Sequence, residues 1–213
     1  MLASDVDIEW VLKKGLVKVT PTEPELIQPA SIDLRLDNRF RAYAPLPAPE
    51  LILDTAPARP LPIIDPGRDQ NGLMVDYEVP EGGGYILGPR CFALASTLER
   101  VEIGGAFAAK LEGKSSLGRL GLLVHATAGW IDPGFGGHVT LELFNAAPHA
   151  IRLWPGMKIA QLAIMALHTP ARRPYGSATL DSHYQDQPRG PQGTQGWRNF
   201  RTWPTRQEVA VNA

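Results

Sequence analysis

Between Gly113 and Phe144 (GKSSLGRLGLLVHATAGWIDPGFGGHVTLELF) the chain gathers most of its chemically useful side chains. Lys114, Ser115, Ser116 and Arg119 fall in a Gly-broken turn, beside the backbone N–H groups around Gly113 and Gly118. Those are the donors a polyphosphate needs, because a guanidinium grips two oxygens at once and exposed amides take bridging oxygens. The order G-x-x-x-x-G-K-[ST] is absent, so the turn is not a P-loop. A basic surface turn has the same composition, and the residues alone leave both readings open.

Glu142 closes the stretch on an alternating strand. Val139, Leu141 and Leu143 share one face, while His138, Thr140, Glu142 and Phe144 share the other. By periodicity Glu142 reads as a solvent-facing carboxylate on a one-sided sheet. The functional reading is a partly buried carboxylate that accepts and returns a proton. Ala128–Gly134 is a turn in which Asp132 either accepts from a sugar hydroxyl or caps the turn itself, as Asp before Pro-Gly commonly does. His125, in an apolar run, reads as a satisfied core histidine, and the single cysteine, Cys91, as a small buried apolar residue. No H-x-x-x-H, H-x-E or C-x-x-C pattern occurs, which argues against a protein-bound zinc. G-x-S-x-G and a βα-placed G-x-G-x-x-G are also missing, so α/β-hydrolase and Rossmann readings fail.

These residues need a scaffold of short elements. The chain has 213 residues, enough for one full core, with 20 prolines and 21 glycines spread along it. A short helix is predicted over residues 4–14, with Ser4 as N-cap, Asp7 three residues on, and Gly15 as its stop. Residues 31–37 alternate as a half-buried strand. Further strands are predicted at 85–87, 91–96, 107–112 and near 150–154, then an apolar run over 159–167. From Ala44 to Gly72 recurrent prolines exclude a helix or central strand and predict an extended surface excursion. After Pro170 the chain reads as an irregular tail that is mobile unless something orders it. The expectation is one all-β domain over 1–170, sandwich or barrel-like, with a tail over 171–213. A formal net charge of −1 gives no bulk argument for nucleic acid or an anionic membrane. With no basic leader and no run of 18 apolar residues, the expected location is cytoplasmic.

Taken in order, these motifs closely resemble the dCTP deaminases of the trimeric dUTPase superfamily. The match is carried by Gly113–Asn145, with support from Gln28–Leu36 (QPASIDLRL), Leu153–Leu162 (LWPGMKIAQL) and Pro174–Ser177 (PYGS). The resemblance implies a distorted jelly-roll, dUTPase-like β-barrel subunit in a homotrimer, with active sites between subunits. It implies zinc-independent hydrolytic removal of the 4-amino group of dCTP. Glu142 matches the family's proton shuttle and Ser115 a serine that helps hold the water. Ala126 and Ala128 match backbone contacts to base and water. Arg119, Lys114 and Ser116 fall on the phosphate and transition-state side. Asp132 matches the deoxyribose contact, and Gln161, Tyr175 and Gln187 match triphosphate or sugar contacts. Mg²⁺ is expected to accompany the triphosphate rather than sit in a protein cage.

Within that family one type releases dUTP and another also cleaves the α–β phosphoanhydride to give dUMP and diphosphate. Gly129 and Trp130, after Thr127-Ala128, are similar to the bifunctional type. His183 departs from the family pattern, which usually places lysine before the tail tyrosine, here Tyr184. Imidazole there grips phosphate less firmly when neutral and makes binding pH-dependent when it titrates. The competing readings are a monofunctional dCTP deaminase, a plain dUTPase and a non-catalytic nucleotide-binding module. Feedback inhibition by dTTP is a further family expectation.

Overall fold

The structure, a computed structural model, describes residues 1–44, 64–196 and 198. The excursion predicted over 44–72 therefore lies largely outside the described residues, as do most of the positions beyond 196. One short helix, α1 (Asp5–Lys13), precedes the strands β1 (Val17–Thr20), β2 (Ile27–Gln28), β3 (Ser31–Tyr43), β4 (Met74–Glu78), β5 (Tyr85–Leu87) and β6 (Phe92–Ile103). The chain continues through β7 (Phe107–Gly113), a single turn α2 (Ser115–Gly118), β8 (Leu122–Leu123) and β9 (Trp130–Ile131). It then forms β10 (Gly136–Asn145), β11 (Ile151–Leu153) and β12 (Lys158–Ala166). The all-β expectation holds.

α1 starts as its sequence dictates. The Ser4 side chain accepts from the Asp7 N–H while the Asp7 carboxylate accepts from the Ser4 N–H, a reciprocal capping box. Gly15, at φ +66°, turns the chain out of the helix. The main sheet curls in the order β8-β10-β6-β3-β12-β7-β9, with β1 on β6 and both β2 and β4 on β3; β5 and β11 form a separate pair. The core lies inside the curl, built from Leu34 and Leu36 of β3, Leu141 and Leu143 of β10, and Ile159 and Leu162 of β12, all fully buried.

β10 is the strand on which the site depends. Val139, Leu141 and Leu143 are buried and His138, Thr140, Glu142 and Phe144 are partly exposed, the alternation read from the sequence. Its register with β6 slips between His138 and Thr140. The Thr97 hydroxyl repairs that slip, accepting from the Val139 N–H at 2.9 Å and donating to the Glu99 carbonyl at 2.8 Å. Bulges of this kind re-aim the side chains that follow.

Three expectations need correction. β3 is not half-buried: Asp33 and Asp37, assigned by alternation to the polar face, are 2% and 0% exposed. They are tolerated because cations reach them, Lys114 and Lys158 at Asp33 and Arg189 at Asp37. β6 runs to Ile103 rather than stopping near Ser96, because it serves as the seam between β10, β3 and β1. Cys91 is exposed rather than buried, since it follows Arg90, at φ +58°, in the turn before β6. β1 and β4 had no sequence expectation; β4 is an exposed edge on which Val75 and Tyr77 share one face.

Candidate active site

Glu142 stands half-buried on the wall of a cavity of about 440 Å³. Its backbone N–H donates to the Val124 carbonyl at 3.0 Å, so residues 124–126 run alongside β10 beyond the end of β8. That course brings the Ala126 N–H to Glu142 Oε2 at 2.9 Å. Among the described residues Oε1 has no hydrogen-bond partner. One oxygen is thus anchored by a backbone donor and the other is available to a solute, the arrangement a proton carrier requires.

Ala128, Trp130, Asp132, Tyr175 and Gln187 line the same cavity. The Asp132 turn is closed by backbone, the Phe135 N–H returning to the Asp132 carbonyl at 3.2 Å, and the carboxylate is exposed toward the cavity. Tyr175 is fixed at both ends: its N–H donates to the Pro133 carbonyl at 2.7 Å and its phenol oxygen accepts the Tyr184 N–H at 2.8 Å. Burial pushes this phenol above the ordinary tyrosine range, so it stays protonated at neutral pH. Gln187 is carried in by the tail. Its carbonyl accepts the His138 N–H at 3.1 Å and its Oε1 accepts from the Thr140 hydroxyl at 3.1 Å. The tail passes so near that a Cβ on Gly137 would sit 2.7 Å from the Gln187 nitrogen. His183 packs edge-on to Tyr184 with Nε2 3.8 Å from an Asp181 oxygen, outside the lining of this cavity.

Lys114, Ser115, Ser116 and Gln161 border a different cavity, of about 470 Å³. Ser115 and Ser116 are exposed on α2, and Arg119 is exposed at its C-terminal end. Lys114 is turned to the buried Asp33, which Lys158 also approaches at 3.2 Å. Gln161 on β12 lies between Asp33 of β3 and Glu112 of β7. His125 forms part of this wall: its Nε2 is 3.6 Å from Glu112 and its buried Nδ1 has no partner among the described residues, so it is not the satisfied core histidine expected. Within one chain, then, Ser115 and Glu142 border separate cavities with the 124–128 segment between them.

The model of the dCTP deaminase-like family matches residues 2–167. The chain belongs to that family. The dUMP-forming dCTP deaminase of Salinispora tropica is 52% identical over 206 residues, which cover 97% of this chain and all of that protein. The dUMP-forming dCTP deaminase of Bifidobacterium adolescentis is 47% identical over 200 residues, 94% of this chain and 96% of that one. Among solved structures, the 2'-deoxycytidine 5'-triphosphate deaminase of Agrobacterium tumefaciens matches with a TM-score of 0.57 and 21% identity. It covers 78% of this chain and 48% of the other, a likeness of fold.

In this family member the Gly129–Trp130 turn has a steric logic of its own. The Gly129 carbonyl accepts the Leu111 N–H at 2.6 Å, and a Cβ on Gly129 would lie 2.5 Å from the Leu111 oxygen. Only glycine lets the turn sit this close to β7, and that placement leaves the Trp130 ring more than half exposed at the cavity. Several lining residues had no sequence expectation. Thr140 was findable, being two positions from Glu142 on the same strand face. Gln192 and Thr194 come from the tail, and Tyr43 and Met74 from β3 and β4. Nothing local in their sequence marks them.

Proposed function

We propose that the protein hydrolyses dCTP to dUTP and ammonia and then cleaves the α–β phosphoanhydride of the bound dUTP, yielding dUMP and diphosphate. The observation that carries the chemistry is Glu142, held on one oxygen by the Ala126 N–H and open on the other at the cavity wall. The products are supported by the near-full-length likeness to dUMP-forming dCTP deaminases.

In this reading the Glu142 carboxylate takes a proton from water, and the oxygen adds to C4 of the cytosine ring. As the oxygen adds, the C4–N3 π electrons pass to N3, which takes that proton from Glu142. Glu142 then carries the C4 hydroxyl proton to N4, the C4–N4 bond breaks, and ammonia leaves as the C4 carbonyl forms. A carboxylate with one oxygen anchored and the other open at the cavity suits both transfers, since the same group takes the proton and gives it back. Ala126 and Ala128 supply backbone dipoles that hold base and water. Asp132 accepts from the deoxyribose hydroxyl, while Tyr175 and Gln187 position sugar and phosphates. Gly129 and Trp130 shape the turn on which the second hydrolysis depends.

Ser115, Ser116, Lys114, Arg119 and Gln161 reach the nucleotide from a neighbouring subunit, in a homotrimer whose sites lie between chains. The separation of the two cavities in one chain supports this division. Phosphate contacts on both sides are ammonium, guanidinium, hydroxyl and amide groups rather than clustered carboxylates. Such a set fits Mg²⁺ arriving on the triphosphate as part of the substrate. His183, carried by the tail, contributes to phosphate binding. We place the reaction in the cytoplasm, on the free nucleotide pool, with dTTP as a competing feedback inhibitor.

The test is product analysis with dCTP and Mg²⁺. Equal amounts of ammonia, dUMP and diphosphate are expected; dUTP accumulating without diphosphate would sink the second step, and no ammonia would sink the first. Glu142→Gln should still bind dCTP while deamination falls by roughly 10²-fold or more.

A further inference from the structure

The tail that carries Gln187 to the cavity pairs with β10 through a single bridge, Gln187 to Gly137, and is otherwise irregular between Pro170 and Gln195, so side chains must supply the rest of its hold. Its firmest attachment is Arg189. Nε and Nη2 donate to Asp37 Oδ1 at 3.0 and 2.7 Å. Asp37 is 0% exposed, and Arg189 is the only cation within ion-pair distance of it among the described residues. The remaining partners of the carboxylate are weak or local: the Asn38 N–H at 2.8 Å on Oδ1 and the Ser96 hydroxyl at 3.4 Å on Oδ2. Asp37 sits where the register of β3 on β6 slips, between Leu36 and Phe40, a place where a side chain can point under the sheet surface. On either side of Arg189 the tail is tied down again. Its carbonyl accepts from Arg39 Nη1 at 3.2 Å, and the Gln192 N–H donates to the Thr140 hydroxyl at 3.2 Å. Thr140 also holds Gln187, and it stands two residues from Glu142 on the same face.

A buried carboxylate left without its cation is strongly unfavourable, because desolvation is no longer offset by the pair. Lifting the tail therefore uncovers the cavity and orphans Asp37 in one motion. We propose that the Asp37–Arg189 pair is a clasp that keeps the tail over the Glu142 cavity and so retains the dUTP intermediate until the second hydrolysis. The inference rests on the two-step reading above. Asp37 and Arg189 are positioning residues: they act on the nucleotide through Gln187, Gln192 and Thr194, which line the cavity. The clasp sets how fast dUTP escapes relative to how fast it is cleaved, not the rate at which Glu142 moves protons.

The experiment follows free dUTP, dUMP and ammonia from dCTP with Mg²⁺ in the full-length protein, together with amide exchange over residues 184–196. Arg189→Gln and Asp37→Asn should each raise KM for dCTP by roughly tenfold and change kcat for ammonia release by less than about threefold. Each should also release dUTP that the unaltered protein does not, and lose exchange protection at Asp186 and Gln192, whose N–H groups donate to the Gly136 carbonyl and the Thr140 hydroxyl. The double variant leaves no unpaired buried charge, so its melting temperature should return toward that of the unaltered protein while dUTP still escapes. That outcome separates a positioning role from a stabilising one. Arg189→Lys keeps the charge but not the two-pronged grip, and should leak less than Arg189→Gln. It also keeps the test open should Arg189→Gln fail to fold. Unchanged KM, exchange and product ratio in Arg189→Gln or Arg189→Lys would overturn the clasp. If the unaltered protein itself yields dUTP and no diphosphate, the two-step reading fails instead; the clasp then stands or falls on KM and exchange.

Discussion

At Glu142 the alternation of β10 determines the face on which the carboxylate lies, and nothing in that alternation distinguishes solvent from a cavity wall. The distinction comes from the Val124–Ala126 segment, which runs beside β10 and puts a backbone donor on one carboxylate oxygen. Gly129 presents a sharper case, since the space around it can be tested directly. A methyl group there meets the Leu111 carbonyl oxygen at 2.5 Å, whereas at Gly118 a methyl meets nothing within 4 Å. Gly129→Ala is therefore expected to lower stability by about 1–3 kcal/mol through overpacking, and Gly118→Ala to be near neutral. Urea unfolding of the two variants checks this, and equal midpoints would refute the steric reading. Glycine at 129 was legible in the sequence as part of the likeness to the bifunctional type. The backbone that approaches it, Leu111, was not, because that contact joins two separate strands.

Among elements, β3 shows where pattern reasoning stops. The alternation of Ile32, Leu34 and Leu36 located the strand, but its polar residues were placed on a wet face when Asp33 and Asp37 are buried. Their cations come from before α2, from β12 and from the tail, and no local rule connects a strand to such distant partners. The pairing of β1 with β6 is held partly by charge on the outer surface. Lys18 donates to Glu102 at 2.8 Å, and this hydrogen bond, followed by the charges of Lys18 and Arg100, holds the Glu102 carboxyl below its ordinary value of 4.5. A carboxyl with a lowered folded-state pKa contributes stability that is present above the unfolded value and lost as pH falls through the folded one. Both side chains are well exposed, so the contribution is under about 1 kcal/mol and screened by salt. Lys18→Met should thus be slightly less stable than the unaltered protein at pH 7. That difference should shrink toward zero near about pH 3 and in about 1 M salt. Thermal melts across that range would show it, and a difference that persists in acid would remove the ion pair as its cause.

For the whole molecule, the decisive feature is that residues read from one continuous stretch of sequence border two cavities in one chain. The order Lys114 to Glu142 suggests a single site, yet the fold sends α2 and the β10 face to opposite sides of the 124–128 segment. A sequence cannot distinguish a site made by one subunit from one made by two, because both use the same residues. If sites form between chains, two inactive variants must rescue each other. In a closed assembly mixed at random from equal parts Glu142→Gln and Ser115→Ala, a site is intact when one subunit supplies Glu142 and its neighbour Ser115. Each condition holds with probability one half, so about one quarter of the sites should work. Co-refolding the two variants and measuring ammonia release from dCTP is expected to recover about a quarter of normal turnover per site. Refolding each variant alone should recover none beyond its own residual rate. Recovery absent from a mixture shown to contain hybrid assemblies would place Ser115 and Glu142 in the same subunit's site. The two cavities of a single chain would then have to merge on nucleotide binding.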